Sequence, residues 1–132
     1  MYHKKKIYLI DSQDAVYGNV AYDLASLIDD VRFKTSEELK NKIFEKFVKL
    51  NSSINKDKLK NDFEILSVLR NFKIIGIFTR LSLRDKKTRY MRMIPHAWKL
   101  IEKRTSKNLI FEDLEIKLNK YFSKKLRLKK WR

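Results

Sequence analysis

The chain has 132 residues, of which 43% are hydrophobic, and this length suits one ordinary domain better than two. It contains no cysteine, which excludes disulfide bonds and thiolate metal sites, and its two histidines do not make a zinc site. Lys and Arg number 32 against 16 Asp and Glu, so the formal net charge is +16 and a polyanion such as nucleic acid becomes a possible partner. The apolar runs are short, and we therefore expect no membrane span, no signal peptide, no membrane partner and a cytoplasmic location.

The first predicted element is a short buried strand. The stretch "KKIYLI" (5–10) is rich in β-branched and aromatic residues and ends at the polar turn "DSQD". After Gly18 and Asn19, the next segment (20–33) has the apolar spacing of a helix. The residues expected on its buried face are Val20, Leu24, Leu27, Ile28 and Val31.

Four further helices are predicted. Thr35 and Glu38 have the spacing of a capping box, which starts the second helix. Apolar residues then recur at helical spacing from Lys58 to about Arg84, and this predicts one long helix. A fourth helix covers "MIPHAWKLIEKR" with its proline near the first turn, and a fifth covers "LIFEDLEIKLNKYF". The buried residues expected on the second helix are Leu39, Ile43, Phe47 and Leu50. One strand or hairpin edge with about five helices makes a mainly α chain, and a single strand cannot form a stable sheet. We therefore read 1–132 as a single partial domain.

The carboxylate directly after the strand is the candidate for chemistry. A rigid strand end can hold an oxygen ligand for Mg²⁺, which tolerates little positional slack and bridges the phosphates of a nucleotide. Asp11 fits that role. The alternative is that Asp11 and Asp14 only stabilise a turn through their own side chains.

The wider pattern resembles the aminoglycoside phosphotransferase-like kinases, particularly the branch that acts on N-acetylmuramate and N-acetylglucosamine. The segment "LIDSQDAVYGNVAYDLASLIDDVR" resembles the stretch that follows the catalytic loop in that branch, and "RNFKIIGIFTRLSLRDKKTRYMRMIPHAWKLIE" resembles a later one. Together the two motifs cover most of residues 7 to 102. The resemblance implies the carboxy-terminal helical lobe of a protein-kinase-like fold, a sugar substrate for the family, and ATP and Mg²⁺ as cofactors of the complete family enzyme. The alternative for this fragment is that it binds no cofactor.

The resemblance also implies roles for individual residues. Asp11 would be the Mg²⁺-binding aspartate, with Gln13 and Asp14 as neighbours in the metal loop. Asp23 would be a structural residue that ties the following helix to the catalytic region. Arg70 and Arg80 match positions on the long helix. They would contact a substrate or another anion, or else pack their stems along an apolar face.

Two departures from the family pattern predict that the chain is inactive alone. The nucleotide lobe, the catalytic His-x-Asp and its metal-binding Asn would precede Asp11, where only "MYHKKKIYLI" stands. Ser12 replaces the aromatic residue that packs the metal loop in the family. We expect no catalytic residue in this chain, and a separately encoded amino-terminal half is a possible partner.

The alternative function is weak, nonspecific nucleic-acid binding by a small basic protein. Residues 120–132 carry seven cationic side chains and residues 80–92 carry six against one acid. Aromatic rings available for stacking on bases are Tyr90, Tyr121, Phe122 and Trp131. A solvated helix surface and a frayed basic tail over about 123–132 would explain the same charges.

Overall fold

The computed structural model describes residues 2–8 and 15–131, and the described chain is mainly helical. Two very short strands come first, β1 (Tyr2–His3) and β2 (Lys6–Ile7). The helices are α1 (Ala21–Ile28), α2 (Glu37–Leu50), α3 (Lys56–Leu83), α4 (Ile94–Thr105), α5 (Glu112–Tyr121) and α6 (Lys124–Arg127). Single 3₁₀ segments, Thr88–Met93 and Leu109–Phe111, lead into α4 and α5.

The amino-terminal strands form an exposed hairpin. β1 pairs antiparallel with β2, and Lys4 and Lys5 make the turn between them with φ of 47° and 60°. Ile7 is 82% exposed. The expectation of a buried strand is therefore wrong for the described part of 5–10, because strands of two residues have no second layer against which to bury a face.

Helix α1 is shorter than predicted and buries a different face. Its buried side is formed by small and large apolar residues together: Ala21, Leu24, Ala25 and Ile28. Val20 and Leu27, which were expected to be buried, are 49% and 63% exposed. The two alanines allow α1 to lie close against α3, and a pattern search weighted to large side chains overlooks them.

Helix α2 starts one residue later than the capping-box spacing suggested. Ser36 is its N-cap, and the Ser36 hydroxyl accepts a hydrogen bond from the Leu39 amide at 3.3 Å. Leu39 and Leu50 are 49% and 73% exposed, so the predicted buried face is wrong at both. Lys40 is buried instead, for an electrostatic reason given below.

The long helix was predicted correctly. α3 extends over 28 residues, and the Asn55 side chain caps it by accepting a hydrogen bond from the Lys58 amide at 2.9 Å. Gly76 lies within it without a break. Charged and polar residues occur along its whole length, and no helix in the described ranges is long and apolar enough to cross a membrane.

Two hydrophobic clusters lie along α3. The first is built with α1 and its buried members are Ala21, Leu24, Ala25, Ile28, Leu59 and Phe63. The second is built with α4 and α5 and its buried members are Val31, Val68, Phe78, Ile94, Ala97, Trp98, Leu100, Ile101, Phe111 and Leu118. Because α3 contributes to both clusters, it is the scaffold that fixes α1 relative to α4.

Helix α6 (Lys124–Arg127) contacts α4 through Arg127, so the expectation of a frayed tail is wrong for α6 and stays a prediction for the residues after it. Pro95 occupies the first turn of α4, as predicted. Arg127 of α6 points inward with its side chain only 6% exposed and pairs with Glu102 of α4 at 3.0 Å. A buried arginine with a carboxylate partner fixes this segment, and charge counting alone did not reveal it.

Candidate functional site

The predicted metal loop lies outside the described residues. Asp11, Gln13 and Asp14 all fall between the described ranges 2–8 and 15–131. Within those ranges, no group of three His, Asp or Glu side chains is placed to hold a metal ion. The role of Asp11 as a metal ligand therefore stays a prediction, and the described part of the site begins at Ala15.

Asn19 fixes the chain just after the predicted loop. Its Oδ1 accepts a hydrogen bond from the Ala21 amide at 2.9 Å, and its Nδ2 donates to Asp62 Oδ2 at 2.7 Å. The first contact shapes the entry to α1, and the second ties that entry to α3. Sequence analysis treated Asn19 only as a turn residue, since its partner Asp62 is distant in the chain.

An exposed stripe with Asp23 at its centre runs along the outer side of α1. Val20, Asp23 and Leu27 follow one another at spacings of three and four residues, which places them on one helical face. Val16 and Tyr17, just before the helix, are also largely exposed. The Asp23 side chain makes no hydrogen bond or ion pair with any other described residue. We call Val16, Tyr17, Val20, Asp23 and Leu27 the α1 stripe.

A buried carboxylate at the other end of α1 joins four helices. Asp29 is 1% exposed and its Oδ1 accepts a hydrogen bond from Lys40 Nζ of α2 at 2.8 Å. Its Oδ2 accepts from Ser67 Oγ of α3 at 2.6 Å and from Arg104 Nη2 of α4 at 2.9 Å. A buried charge is tolerated only when it is paired and hydrogen-bonded, and Asp29 satisfies both conditions.

The environment of Asp29 favours its ionised form. Burial opposes ionisation and is the largest single influence on the pKa of this carboxyl group. The nearby Arg104 charge and the hydrogen bonds from Lys40 and Ser67 together outweigh burial and hold the pKa below its ordinary value of 3.8. Asp29 is therefore a structural anion, and sequence analysis did not single it out.

Arg70 and Arg80 have different surroundings on α3. Arg70 is half-buried and its Nη1 donates to the Asp29 carbonyl oxygen at 3.4 Å, so it contacts the end of α1. Its charge also helps to lower the pKa of Asp30, after the larger effect of the Arg32 hydrogen bond. Arg80 is exposed and makes no hydrogen bond from its side chain within the described ranges. The structure does not bring the two arginines together, and their contact with an anion stays a prediction.

A pocket of about 300 Å³ opens between α2 and α3, beside Asp29 and its hydrogen-bond partners Lys40 and Arg104. Ile28, Phe44 and Phe63 supply its apolar wall, and Lys40 and Arg104 supply two of its cations. Arg104 lies over the Phe63 ring at 4.8 Å. The carboxylates of Glu37, Glu45 and Glu64 also line the pocket, so its charge is mixed and selects no single class of ligand.

The chain is similar in sequence to bacterial sugar kinases. The similar proteins are N-acetylmuramate/N-acetylglucosamine kinases, and the similarity covers 66 to 71% of this chain. The kinase of Caulobacter vibrioides is 31% identical over 93 residues, that of Neisseria meningitidis serogroup B 37% over 93 residues, and that of Pseudomonas aeruginosa 30% over 100 residues.

These similarities support a relationship to amino-sugar kinases, as the motifs had indicated. The matched part is 26 to 30% of the length of each kinase, so the chain spans less than a third of the relatives it matches. No protein-family model matches the chain. No solved structure matches it either. The wider aminoglycoside phosphotransferase-like assignment and the kinase-like lobe therefore rest on the resemblance described above.

Proposed function

We propose that this chain supplies the carboxy-terminal helical part of an ATP-dependent phosphotransferase that acts on an amino sugar. The observation that carries the proposal is the 30 to 37% identity to three N-acetylmuramate/N-acetylglucosamine kinases over 66 to 71% of the chain. The mainly helical structure agrees with such a part. Phosphoryl transfer depends on positioning and charge stabilisation, so a part without the nucleotide lobe should have essentially no activity.

Asp11 is the proposed metal ligand, with Gln13 and Asp14 beside it. When bound, Mg²⁺ would bridge the phosphates of ATP and neutralise charge that develops during transfer. The resemblance of the surrounding motif supports this assignment. The hydrogen bond from Asn19 to Asp62 fixes the described chain downstream of these residues to α3. Ser12 would pack this loop less firmly than the aromatic residue of the resembled family.

The α1 stripe is the proposed contact for the amino-terminal part of the kinase. Tyr17 and Val16 are 109% and 88% exposed, and Leu27 is 63% exposed, although the opposite side of the same helix is fully buried. Apolar groups in such a row favour contact with another protein surface. Asp23, at the centre of the row, would accept hydrogen bonds from that surface and so tie α1 to the catalytic region.

Arg80 is the better placed of the two arginines for contact with a substrate anion. Arg70 already donates to the Asp29 carbonyl oxygen, and its charge lies near Asp30. Arg80 is exposed, and its charge acts on Asp85, which pairs with Arg84 at 2.6 Å. An exposed guanidinium can still bind a carboxylate or phosphate through two parallel hydrogen bonds.

Reconstitution from two polypeptides tests the proposal. The purified chain is mixed with the part of the Caulobacter vibrioides kinase that lies outside the matched segment, and ATP-dependent phosphorylation of N-acetylglucosamine and N-acetylmuramate is measured. We expect no turnover by either polypeptide alone and measurable turnover by the mixture. The substitution Leu27→Glu on the α1 stripe should weaken the activity of the mixture.

The matched control is Leu50→Glu, because Leu50 is 73% exposed on α2 and lies outside the α1 stripe. Turnover by the isolated chain would contradict the prediction that it is inactive alone. Equal loss of activity in Leu27→Glu and Leu50→Glu would contradict the assignment of the α1 stripe as the contact surface.

A further inference from the structure

The carboxy-terminal segment combines cations with exposed apolar side chains. From residue 116 to the end of the chain there are eight Lys and Arg residues and no Asp or Glu. None of the lysines from 117 to 130 forms an ion pair with a described carboxylate. The positive charge of this segment is therefore available to an external anion.

The arrangement is fixed by Arg127. Its Nε donates to the Phe122 carbonyl oxygen at 2.7 Å and its Nη2 donates to Asn119 Oδ1 at 2.8 Å. Its guanidinium also pairs with Glu102 and lies over the Trp98 ring at 5.5 Å. Arg127 points inward, whereas the other residues of α6 and the following Leu128 are exposed.

The exposed apolar groups lie among these lysines. Leu126 and Leu128 are 45% and 36% exposed, and they surround one shallow depression together with Ser123, Lys125 and Lys129. Tyr121 is 67% exposed and precedes them in the chain. Exposed aliphatic side chains with lysines beside them have the composition of interfacial segments, which place apolar groups at the boundary of headgroups and acyl chains.

Three of the four aromatic rings considered for stacking on bases are poorly placed for it, and only Tyr121 has an open ring. Tyr90 packs against Phe78 with ring centroids 5.1 Å apart, and Phe122 packs against Trp98 at 5.2 Å. Trp131 is half-buried, with Lys129 Nζ 4.2 Å from its ring centroid. Single-stranded nucleic acid needs open ring faces, whereas a lipid surface needs exposed aliphatic groups and cations.

We infer that this segment binds the surface of membranes that contain anionic lipids. The contact surface, here called the basic apolar patch, comprises Lys120, Tyr121, Lys124, Lys125, Leu126, Leu128, Lys129 and Lys130. Its lysines would bind the lipid phosphates and its leucines would enter the headgroup boundary. The sequence-based expectation of no membrane partner rested on the absence of a long apolar run, and an interfacial contact does not require one. This inference is independent of the kinase proposal.

Vesicle co-sedimentation of the full chain tests the inference. The probes are vesicles of phosphatidylcholine alone and vesicles with roughly 30% phosphatidylglycerol, at low and high salt, a content that gives an anionic surface potential. We expect binding to the anionic vesicles at low salt, weaker binding at high salt, and little binding to phosphatidylcholine. Equal binding to the two kinds of vesicle, or no binding to either, would overturn the inference. These vesicle comparisons use the unmodified chain.

Paired substitutions separate the charged and apolar contributions. Lys124→Glu with Lys125→Glu should lower the partition coefficient at least about tenfold, because each lysine near an anionic surface contributes substantially to binding. Lys46→Glu with Lys49→Glu on α2 makes the same change in net charge and serves as the control. Circular dichroism confirms that each variant is folded.

Leu126→Ser with Leu128→Ser should lower partitioning by about tenfold, since apolar burial adds to the electrostatic attraction. The exposed pair Leu50→Ser with Leu83→Ser is its control. An effect no larger than that of the control would overturn the inference. The inference would also be overturned if the chain bound single-stranded RNA more tightly than anionic vesicles and the leucine substitutions had no effect. That result would assign the surface to nucleic acid.

Discussion

Asp29 shows how one buried charge can hold several helices together. It receives hydrogen bonds from Lys40, Ser67 and Arg104, which lie on α2, α3 and α4. The sequence contains two adjacent aspartates here, Asp29 and Asp30, within the first segment that resembles the kinases. Nothing local distinguishes them. Asp29 becomes the buried one because it directly follows the buried end of α1, and its partners come from distant parts of the chain.

Asp29→Asn should destabilise the fold by about 3–5 kcal/mol, because it leaves the half-buried Arg104 without its paired carboxylate and the buried Lys40 with only the exposed Glu37 at 4.0 Å. Asp23→Asn, on the exposed side of α1, should change the free energy of unfolding by no more than about 0.5 kcal/mol. Urea unfolding of the two variants measures both values. A similar loss of unfolding free energy in both variants would show that Asp29 and its partners do not hold the helices together.

Stability should fall in two stages on acidification. Burial lowers the pKa of His96 below its ordinary 6.5, aided by the charges of Lys40, Lys34 and Lys99, so the unfolded chain binds this proton more readily. Stability from this residue is complete above 6.5 and declines as pH falls through that value. Asp29, with a pKa below 3.8, contributes stability above 3.8 that is lost as pH falls further.

Thermal unfolding from about pH 7 to pH 3 measures these two stages. His96→Gln should remove the stage near 6.5 and keep the one below 3.8. An unfolding temperature that stays constant in the unmodified chain as pH falls from about 7 to 5 would contradict the role given to His96.

Among the elements, α3 was predictable and the face of α1 was not. α3 has apolar residues at helical spacing over many turns, and so long a pattern indicates a helix reliably. α1 has only eight residues and large apolar groups on both sides, so its sequence permits two buried faces. Packing of Ala21 and Ala25 against α3 selects one of them. The same limitation applies to α2, where the ion pair of Lys40 with Asp29 determines which side turns inward.

Alanine substitution of two leucines tests the face assigned to α1. Leu24→Ala should cost about 2–4 kcal/mol because Leu24 is 4% exposed and its removal leaves a cavity. Leu27→Ala, at a position 63% exposed, should change stability by less than about 0.5 kcal/mol in the isolated chain. Chemical denaturation provides both values. A larger loss for Leu27→Ala would mean that α1 is rotated about its axis.

At the scale of the whole molecule, the described chain consists of two hydrophobic clusters joined by α3, and the α1 stripe is exposed on its surface. The resemblance to amino-sugar kinases was identified from two motifs, and three similar kinases support it. The candidate site was only partly predictable. The contacts of Asn19 with Asp62, and of Asp29 with Lys40 and Arg104, join residues far apart in the chain. A short sequence motif cannot predict such pairs, because the two partners are far apart in the chain.

The most direct test of the kinase proposal is a single-chain chimera. Residues 1–132 of this chain replace the matched segment of the Caulobacter vibrioides kinase, and ATP-dependent phosphorylation of N-acetylglucosamine is measured against Mg²⁺ concentration. We expect turnover by the chimera and its loss on Asp11→Asn, whereas Asp57→Asn, an exposed change in the first turn of α3, should retain turnover. A folded chimera without activity, or one whose turnover and Mg²⁺ dependence are unchanged by Asp11→Asn, would contradict the kinase proposal.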